Sequence, residues 1–350
     1  MPKASESRVR PLIIVDDKKM NDWRKQFKYD PMPKLLSSED EAIQYLSKRD
    51  LIGEQVGSIH QMWGLPAAQK ILKKQKANGS WSRSGEQKHT AINYGLTETW
   101  RQFRFLVEKY EFTRENPQAE KAAEYLLSCQ TDDGDIRGFL ANQYATYYTG
   151  AIMALLIKAG YANDPRIQKG FDWLLAMRQD DHGWTIPLIT HKFDRATQYR
   201  LTSEFAKPVE PDRTKPFSHN WTGMVLRAFA VHEKYQKSEA AIVAANLLKS
   251  RFFQKDCYSS YQAASYWVRF EYPYWWNNLV TALDSISLIG VSKGDKQIDQ
   301  ALEWFVDHQE TNGLWKVTYA KTQEKDTAKN REMKLWITLA ICRIFKRLTE

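Results

Sequence analysis

Cysteine is scarce in this chain of 350 residues: Cys129, Cys257 and Cys342 are the only three, and they lie far apart. That excludes a disulfide framework and a four-cysteine zinc site, and it points to a reducing, cytoplasmic setting. Glycine and proline are few as well, 16 and 12, which excludes collagen-like and low-complexity classes. No apolar run approaches the roughly 18 residues that a membrane-spanning helix needs. The apolar stretch nearest the start, Leu12–Val15, is too short for the core of a secretion signal. No transmembrane segment is therefore expected, while peripheral contact with a membrane stays open. Charge of one sign is in modest excess, 51 basic against 42 acidic residues for a net +9. The basic residues are spread along the chain, with short clusters at Lys70–Lys76, Lys192–Arg200 and Arg343–Arg347. Such spreading reads as solvated helix faces, and no nucleic-acid partner is expected.

Aromatic residues, by contrast, are abundant: 13 Trp, 17 Tyr and 15 Phe. They could fill a ring-rich core or line an aromatic cavity. Their placement follows a repeat. In ILKKQKANGSW (71–81), YLLSCQTDDGDI (125–136), WLLAMRQDDHGW (173–184) and WFVDHQETNGLW (304–315), an apolar helical stretch runs into Gln. Gly follows four residues later, giving the pairs Gln75/Gly79, Gln130/Gly134, Gln179/Gly183 and Gln309/Gly313. Trp81, Ile136, Trp184 and Trp315 come next. Gly stops the helix, and the Gln amide is placed to bond groups freed there. The ring after the turn packs back on the helices. The long interval between Gly183 and Gly313 implies one degenerate copy, placed at 246–262.

Between these stops lie two kinds of helical pattern. Asn93–Glu111, Tyr148–Gly160, Asn220–Tyr235, Tyr274–Gly290 and Glu332–Leu348 are apolar nearly all round, which marks a buried helix. Pro117–Gln130, Pro165–Gln179, Ser238–Phe253 and Asp295–Gln309 are amphipathic. Buried and half-buried helices thus alternate in pairs, and no strand pattern appears. An open solenoid needs polar caps, yet the last helix is among the most apolar. The expected fold is all-α: a closed, double-layered α/α toroid over residues 38–350, an N-terminal arm at 1–37, and an insertion loop at 185–216.

The Gln…Gly…Trp stops resemble the repeats of squalene and other terpenoid cyclases and of protein prenyltransferase β subunits. The likeness runs over roughly residues 38–349. It extends to QTDDGDIRG (130–138), YYTGAIMALLIKAGY (147–161), DPRIQKGFDWLLAMRQ (164–179), YPYWWNNLVTALDSISLIG (272–290) and KLWITLAICRIFKR (334–347), which are similar to a group of short prokaryotic members. The resemblance implies an α/α toroid whose inner helices enclose an apolar cavity for an isoprenoid. It also implies, for a cyclase, an Asp-x-Asp-Asp acid motif opening an inner helix. The matching place here reads Ser218-His219-Asn220-Trp221-Thr222-Gly223, with every acid gone. For a prenyltransferase it implies a zinc site; Lys255-Asp256-Cys257-Tyr258-Ser259-Ser260-Tyr261-Gln262 keeps the Cys but shifts the Asp, and 272–290 has no His. No metal or cofactor is expected.

What remains is the inside of the ring. Glu98 and Asp284, acids within apolar helices, and His219 are the candidate catalytic residues, acting as general acid or base. The alternative for each acid is a structural ion pair. Trp100, Tyr148, Asn220, Trp221, Tyr274, Trp276 and Trp336 are the candidate binding wall, because aromatic faces take up apolar chains and stabilise carbocations. Lys192 and Arg195 in the insertion are candidates for a basic lid over an anionic head group. The expected function is that of a terpenoid-cyclase- or prenyltransferase-like protein holding an isoprenoid or similar long apolar molecule, as a transferase or cyclase with non-standard residues. The alternative is a non-catalytic lipid-binding or scaffold toroid. A carbohydrate-active barrel would need paired carboxylates facing the cavity.

Overall fold

The computed structural model describes residues 22–349 except 86, 259–262, 292–293 and 320–325. In chain order its α-helices are α1 Met32–Leu36, α2 Glu41–Ser47, α3 Pro66–Leu72, α4 Tyr94–Tyr110, α5 Pro117–Leu127, α6 Thr146–Leu156, α7 Pro165–Ala176, α8 Arg195–Leu201, α9 His219–Val231, α10 Glu239–Lys249, α11 Leu279–Ile289, α12 Lys296–Asp307 and α13 Ala328–Thr349. No strand is present among the described residues, which hold only isolated bridges at Gln130–Ile136 and Gly138–Ala141. No helix among them is long and apolar enough to cross a membrane.

The two sequence patterns become two layers. In α6 every residue is buried, as its unbroken apolar run requires. Neighbours α4, α6, α9, α11 and α13 pack in that order around a hub. The outer helices bury one stripe only; in α12 it is Ile298, Ala301, Leu302 and Phe305. The outer helices α5, α7, α10 and α12 start at side-chain caps that satisfy free backbone N–H groups: Asn116, Asp164, Ser238 and Asp295.

The repeat is a three-part staple. In three of the four copies the Gln amide donates to its own Gly carbonyl and to a backbone carbonyl of the next repeat, as in Gln75 to Gly79 and Gln118 (3.0 and 2.8 Å) and Gln130 to Gly134 and Arg166 (both 2.8 Å), whereas Gln179 donates to the Asp212 and Lys215 carbonyls of the insertion. The indole N–H reaches back to a carbonyl ten residues upstream: Trp81 to Ile71, Trp184 to Leu174, Trp315 to Phe305, at 2.9, 2.7 and 2.8 Å. The backbone N–H at the same position donates to a Thr hydroxyl of the following inner helix: Trp81 to Thr99, Ile136 to Thr149, Trp184 to Thr222 and Trp315 to Thr338. In the degenerate copy Trp267 takes the ring's place, its indole donating to the Gln254 carbonyl at 3.1 Å.

The last staple closes the ring. Gln309 donates to the Tyr29 carbonyl (2.8 Å) and accepts from the Tyr29 N–H (3.0 Å). Residues 22–36 therefore stand where the next repeat would begin, and the expected arm at 1–37 is corrected to that extent; residues 1–21 lie outside the described residues. Trp23 is fully buried, and Phe27 packs on Trp315 and Phe345 at 5.3 and 4.5 Å. Charge pairs complete the seam: Arg343 with Asp50, Arg49 with Glu111, and Lys109 with Glu332.

One helix starts later than its pattern suggests. Tyr274–Asn278, expected to be the first turn of the buried helix, is instead a non-helical strap leading into α11. Asn278 ends the strap by capping: its side chain accepts from the Thr281 N–H, while the Thr281 hydroxyl accepts from the Asn278 N–H. The strap carbonyls, having no helical partners, are taken by arginines from the walls.

Candidate functional site

The inner helices set a band of rings around the strap. Trp100 of α4 stands edge-on to Tyr148 of α6 and to Trp275 of the strap, at 5.0 and 4.6 Å. Tyr147 meets Trp221 of α9 at 4.5 Å, and Trp221 meets Trp276 of the strap at 5.6 Å. Trp276 also donates its indole N–H to the Tyr319 hydroxyl at 2.8 Å. Asn220 fixes the strap's end, accepting from the Asn277 N–H at 3.3 Å. The sequence candidates Trp100, Tyr148, Asn220, Trp221, Tyr274 and Trp276 are thus brought together. Trp336 is not among them: it stacks on Tyr272 at 5.0 Å and donates to Asp40 at 3.3 Å, at the seam.

The expected open aromatic cavity is corrected by this packing. The rings of the strap fill the space between the rings of the walls, and the hub keeps a cavity of only about 50 Å³. Pockets for organic ligands usually enclose several hundred Å³. The cavity lies toward the C-terminal halves of the inner helices, lined in part by Trp100, Arg104, Lys158, Arg227, Tyr274 and Asp284. A larger groove of about 1000 Å³ runs along the seam outside the hub, between charges of both signs such as Lys34, Asp40, Glu332 and Lys334.

Arg104 and Arg227 are the residues the sequence reading missed as site residues. Arg104 donates to the Tyr274 carbonyl at 3.1 Å; Arg227 donates to the Tyr274 and Trp276 carbonyls at 3.4 and 2.8 Å. They pin the strap into the hub. Burial pushes both guanidiniums down to about 10, so both remain charged at neutral pH. The signal was a lone Arg in each of two largely apolar runs, FRFLV and MVLRAF.

The three candidate catalytic groups do not converge. Glu98 is buried and accepts from Arg101 (3.4 Å) and Gln102 on its own helix. Asp284 does line the cavity, with its side chain partly exposed, but it is paired with Arg347. Burial acts to raise its pKa; the charges of Arg347 and Lys158 outweigh that and hold it below the usual value, so it is a carboxylate and not a proton donor. His219 does not line the cavity. It faces Asp256 at 3.4 Å (Nδ1 to Oδ2) and packs on Trp267 at 4.6 Å. Asp256, almost fully buried, also accepts from the Ser218 hydroxyl (2.8 Å), the Asn220 N–H (3.1 Å) and the Tyr258 N–H (3.2 Å). The carboxylate is thus a cap for the start of α9 supplied from the neighbouring repeat. Burial lowers the His219 pKa, Asp256 partly countering it.

The basic lid is likewise corrected. Lys192 and Arg195 are exposed and line no part of the cavity. The insertion is tied to residues just before α6 by Asn142 donating to Ala206, Gln143 donating to Lys207 and the Val209 N–H donating to Gln143. Those bonds hold it at the N-terminal end of the inner helices, opposite the cavity. Cys257 is exposed, and no cluster of three His, Cys, Asp or Glu able to hold a metal stands among the described residues. Gln262 of the zinc-like motif lies outside them.

Compared with known proteins, the chain matches no family model and no curated protein. It is similar to solved structures at low identity. A protein from Actinoplanes is 13% identical at TM-score 0.43, over 83% of this chain and 88% of its own. A type II terpene cyclase from Scytonema in complex with merosterolic acid A is 13% identical at TM-score 0.41, over 87% and 85%. A polysaccharide lyase is 10% identical at TM-score 0.41, over 88% and 96%. These likenesses span most of the chain and assign no chemistry to it.

Proposed function

We propose that this ring binds a long apolar molecule of isoprenoid type at its hub and does not turn it over. The observation that supports the reading is the strap. Apart from it, the hub's wall is a band of rings from α4, α6 and α9, and the strap fills that band with three rings of its own. It does so as non-helical backbone, held at Tyr274 and Trp276 through arginine-to-carbonyl bonds. A ligand that replaces Trp275 and Trp276 against the wall exchanges one apolar contact for another. The catalytic reading, a transferase or cyclase with a non-standard acid, needs a proton donor on the wall. Glu98 is engaged on its own helix, Asp284 is ionised, and His219 is tied to Asp256 away from the hub.

Titration with farnesol and geranylgeraniol, followed by tryptophan fluorescence and native mass spectrometry, is expected to show one molecule bound per chain. Trp221→Ala is expected to weaken binding about tenfold, the loss of one large aromatic contact. Absence of binding sinks the proposal. Turnover of prenyl diphosphates or squalene restores the enzymatic reading.

A further inference from the structure

We infer that the hub cavity is a site for one oxyanion of phosphate or carboxylate size, held by Arg104, Arg227 and Tyr274. This deepens the reading above by naming the head group of the ligand. Three observations converge. First, Arg104 Nε, Arg227 Nε and the Tyr274 hydroxyl are buried without a hydrogen-bond partner, and all three residues line the same cavity. Buried polar atoms in folded proteins are nearly always bonded, and a guanidinium can only donate. Three unsatisfied donors on residues that line one cavity call for an acceptor.

Second, the charge on the cavity wall is unbalanced in the right direction. The acids that line it are already committed, Glu108 to Lys158 at 3.0 Å and Asp284 to Arg347. Glu271 is the opposite charge that acts most on Arg104. Even so, among the described residues no carboxylate makes an ion pair with Arg104 or Arg227; their bonds go to the strap carbonyls. Two buried cations without counterions are costly to keep, and a bound anion offsets that cost.

Third, the size fits. A cavity of about 50 Å³ has room for roughly four water-sized spheres, which suits one tetrahedral or planar oxyanion and excludes a polymer or a nucleotide. The same two arginines hold the strap. An oxyanion competing for the Arg227 N–H groups loosens their grip on the Trp276 carbonyl, so head-group binding beside Tyr274 and release of Trp275 and Trp276 are coupled at that side chain. The apolar molecule proposed above would then carry a single carboxylate or monophosphate.

The test uses inorganic phosphate alone on the full chain, by calorimetry and thermal shift against sodium chloride of equal ionic strength. One phosphate per chain is expected. The double substitution Arg104→Gln with Arg227→Gln is expected to weaken it at least tenfold, and Tyr274→Phe, which removes one hydroxyl and keeps the ring, several-fold. Lys192→Gln with Arg195→Gln, on the exposed insertion, should leave it unchanged. No phosphate binding by the unaltered chain, or binding by the Tyr274→Phe and double-arginine forms equal to that of the unaltered chain, overturns the inference. If the double form does not fold, the Tyr274→Phe comparison decides. Farnesol, which has the chain and no anion, separates the two proposals. Farnesol bound and phosphate not leaves only the apolar reading; phosphate bound and farnesol not leaves only the oxyanion site.

Discussion

Gly79→Ala is expected to cost about 3–5 kcal/mol of folding stability, read as a lower urea midpoint at unchanged slope. A Cβ at this position would stand 2.1 Å from the Lys121 carbonyl oxygen and 2.5 Å from its carbon. Both are backbone atoms of α5, so neither can swing aside. The residue also holds φ at +85°, where a side chain costs roughly 1–2 kcal/mol. Gly53→Ala is the control. Its φ is +76°, and nothing lies within 4 Å of the added carbon. It should lose only the conformational part, about 1 kcal/mol. Equal losses at both positions would show that the repeat does not depend on close approach of neighbouring outer helices at its Gly.

Asp256→Ala should be as damaging, about 3–5 kcal/mol, the cost of stripping the partner from a buried polar cluster. Three donors, the Ser218 hydroxyl and the N–H groups of Asn220 and Tyr258, lose their acceptor together. The pH dependence separates this account from simple loss of packing. Burial depresses the His219 pKa below 6.5 in the folded chain, and Asp256 acts against that depression. Below about pH 6.5 the unfolded chain takes a proton that the folded chain refuses. Stability is thus full above that pH and falls as pH drops through it. Asp256→Ala should steepen the fall, and His219→Asn should flatten it. A stability curve unchanged between pH 5 and 7 in both variants would contradict the pairing.

The layers and staples were legible in the sequence because each rests on a residue type that does one thing. Gly79 and Gly134 allow close approach, Gln75 and Gln130 supply an amide of the right reach, and Trp81, Trp184 and Trp315 lock the turn. Closure was half legible. The apolar α13 showed that the array does not end in a cap, but the partner of Gln309 is the backbone of Tyr29, and a backbone group leaves no mark in composition. The strap is hidden for a similar reason. Tyr274–Asn278 is as apolar as the helix it precedes, so periodicity could not separate them. The deciding features were local and distant at once: the Asn278–Thr281 cap, and Arg104 and Arg227 reaching in from α4 and α9. Nothing in the sequence says that these two arginines serve backbone carbonyls, because a carbonyl carries no side-chain signature. Glu98, by contrast, has its partners Arg101 and Gln102 on its own helix, the structural ion pair that its place in an apolar helix allows.

Hydrogen–deuterium exchange of the backbone amides of Trp275–Asn277 is the most direct measurement, made with and without a saturating isoprenoid monophosphate. A cavity of about 50 Å³ cannot take the chain unless Trp275 and Trp276 leave. The strap amides should therefore exchange at least tenfold faster with the ligand bound, while those of α6 and α9 stay protected. Bound ligand with the strap equally or better protected would place the molecule elsewhere and contradict a hub opened by its own strap.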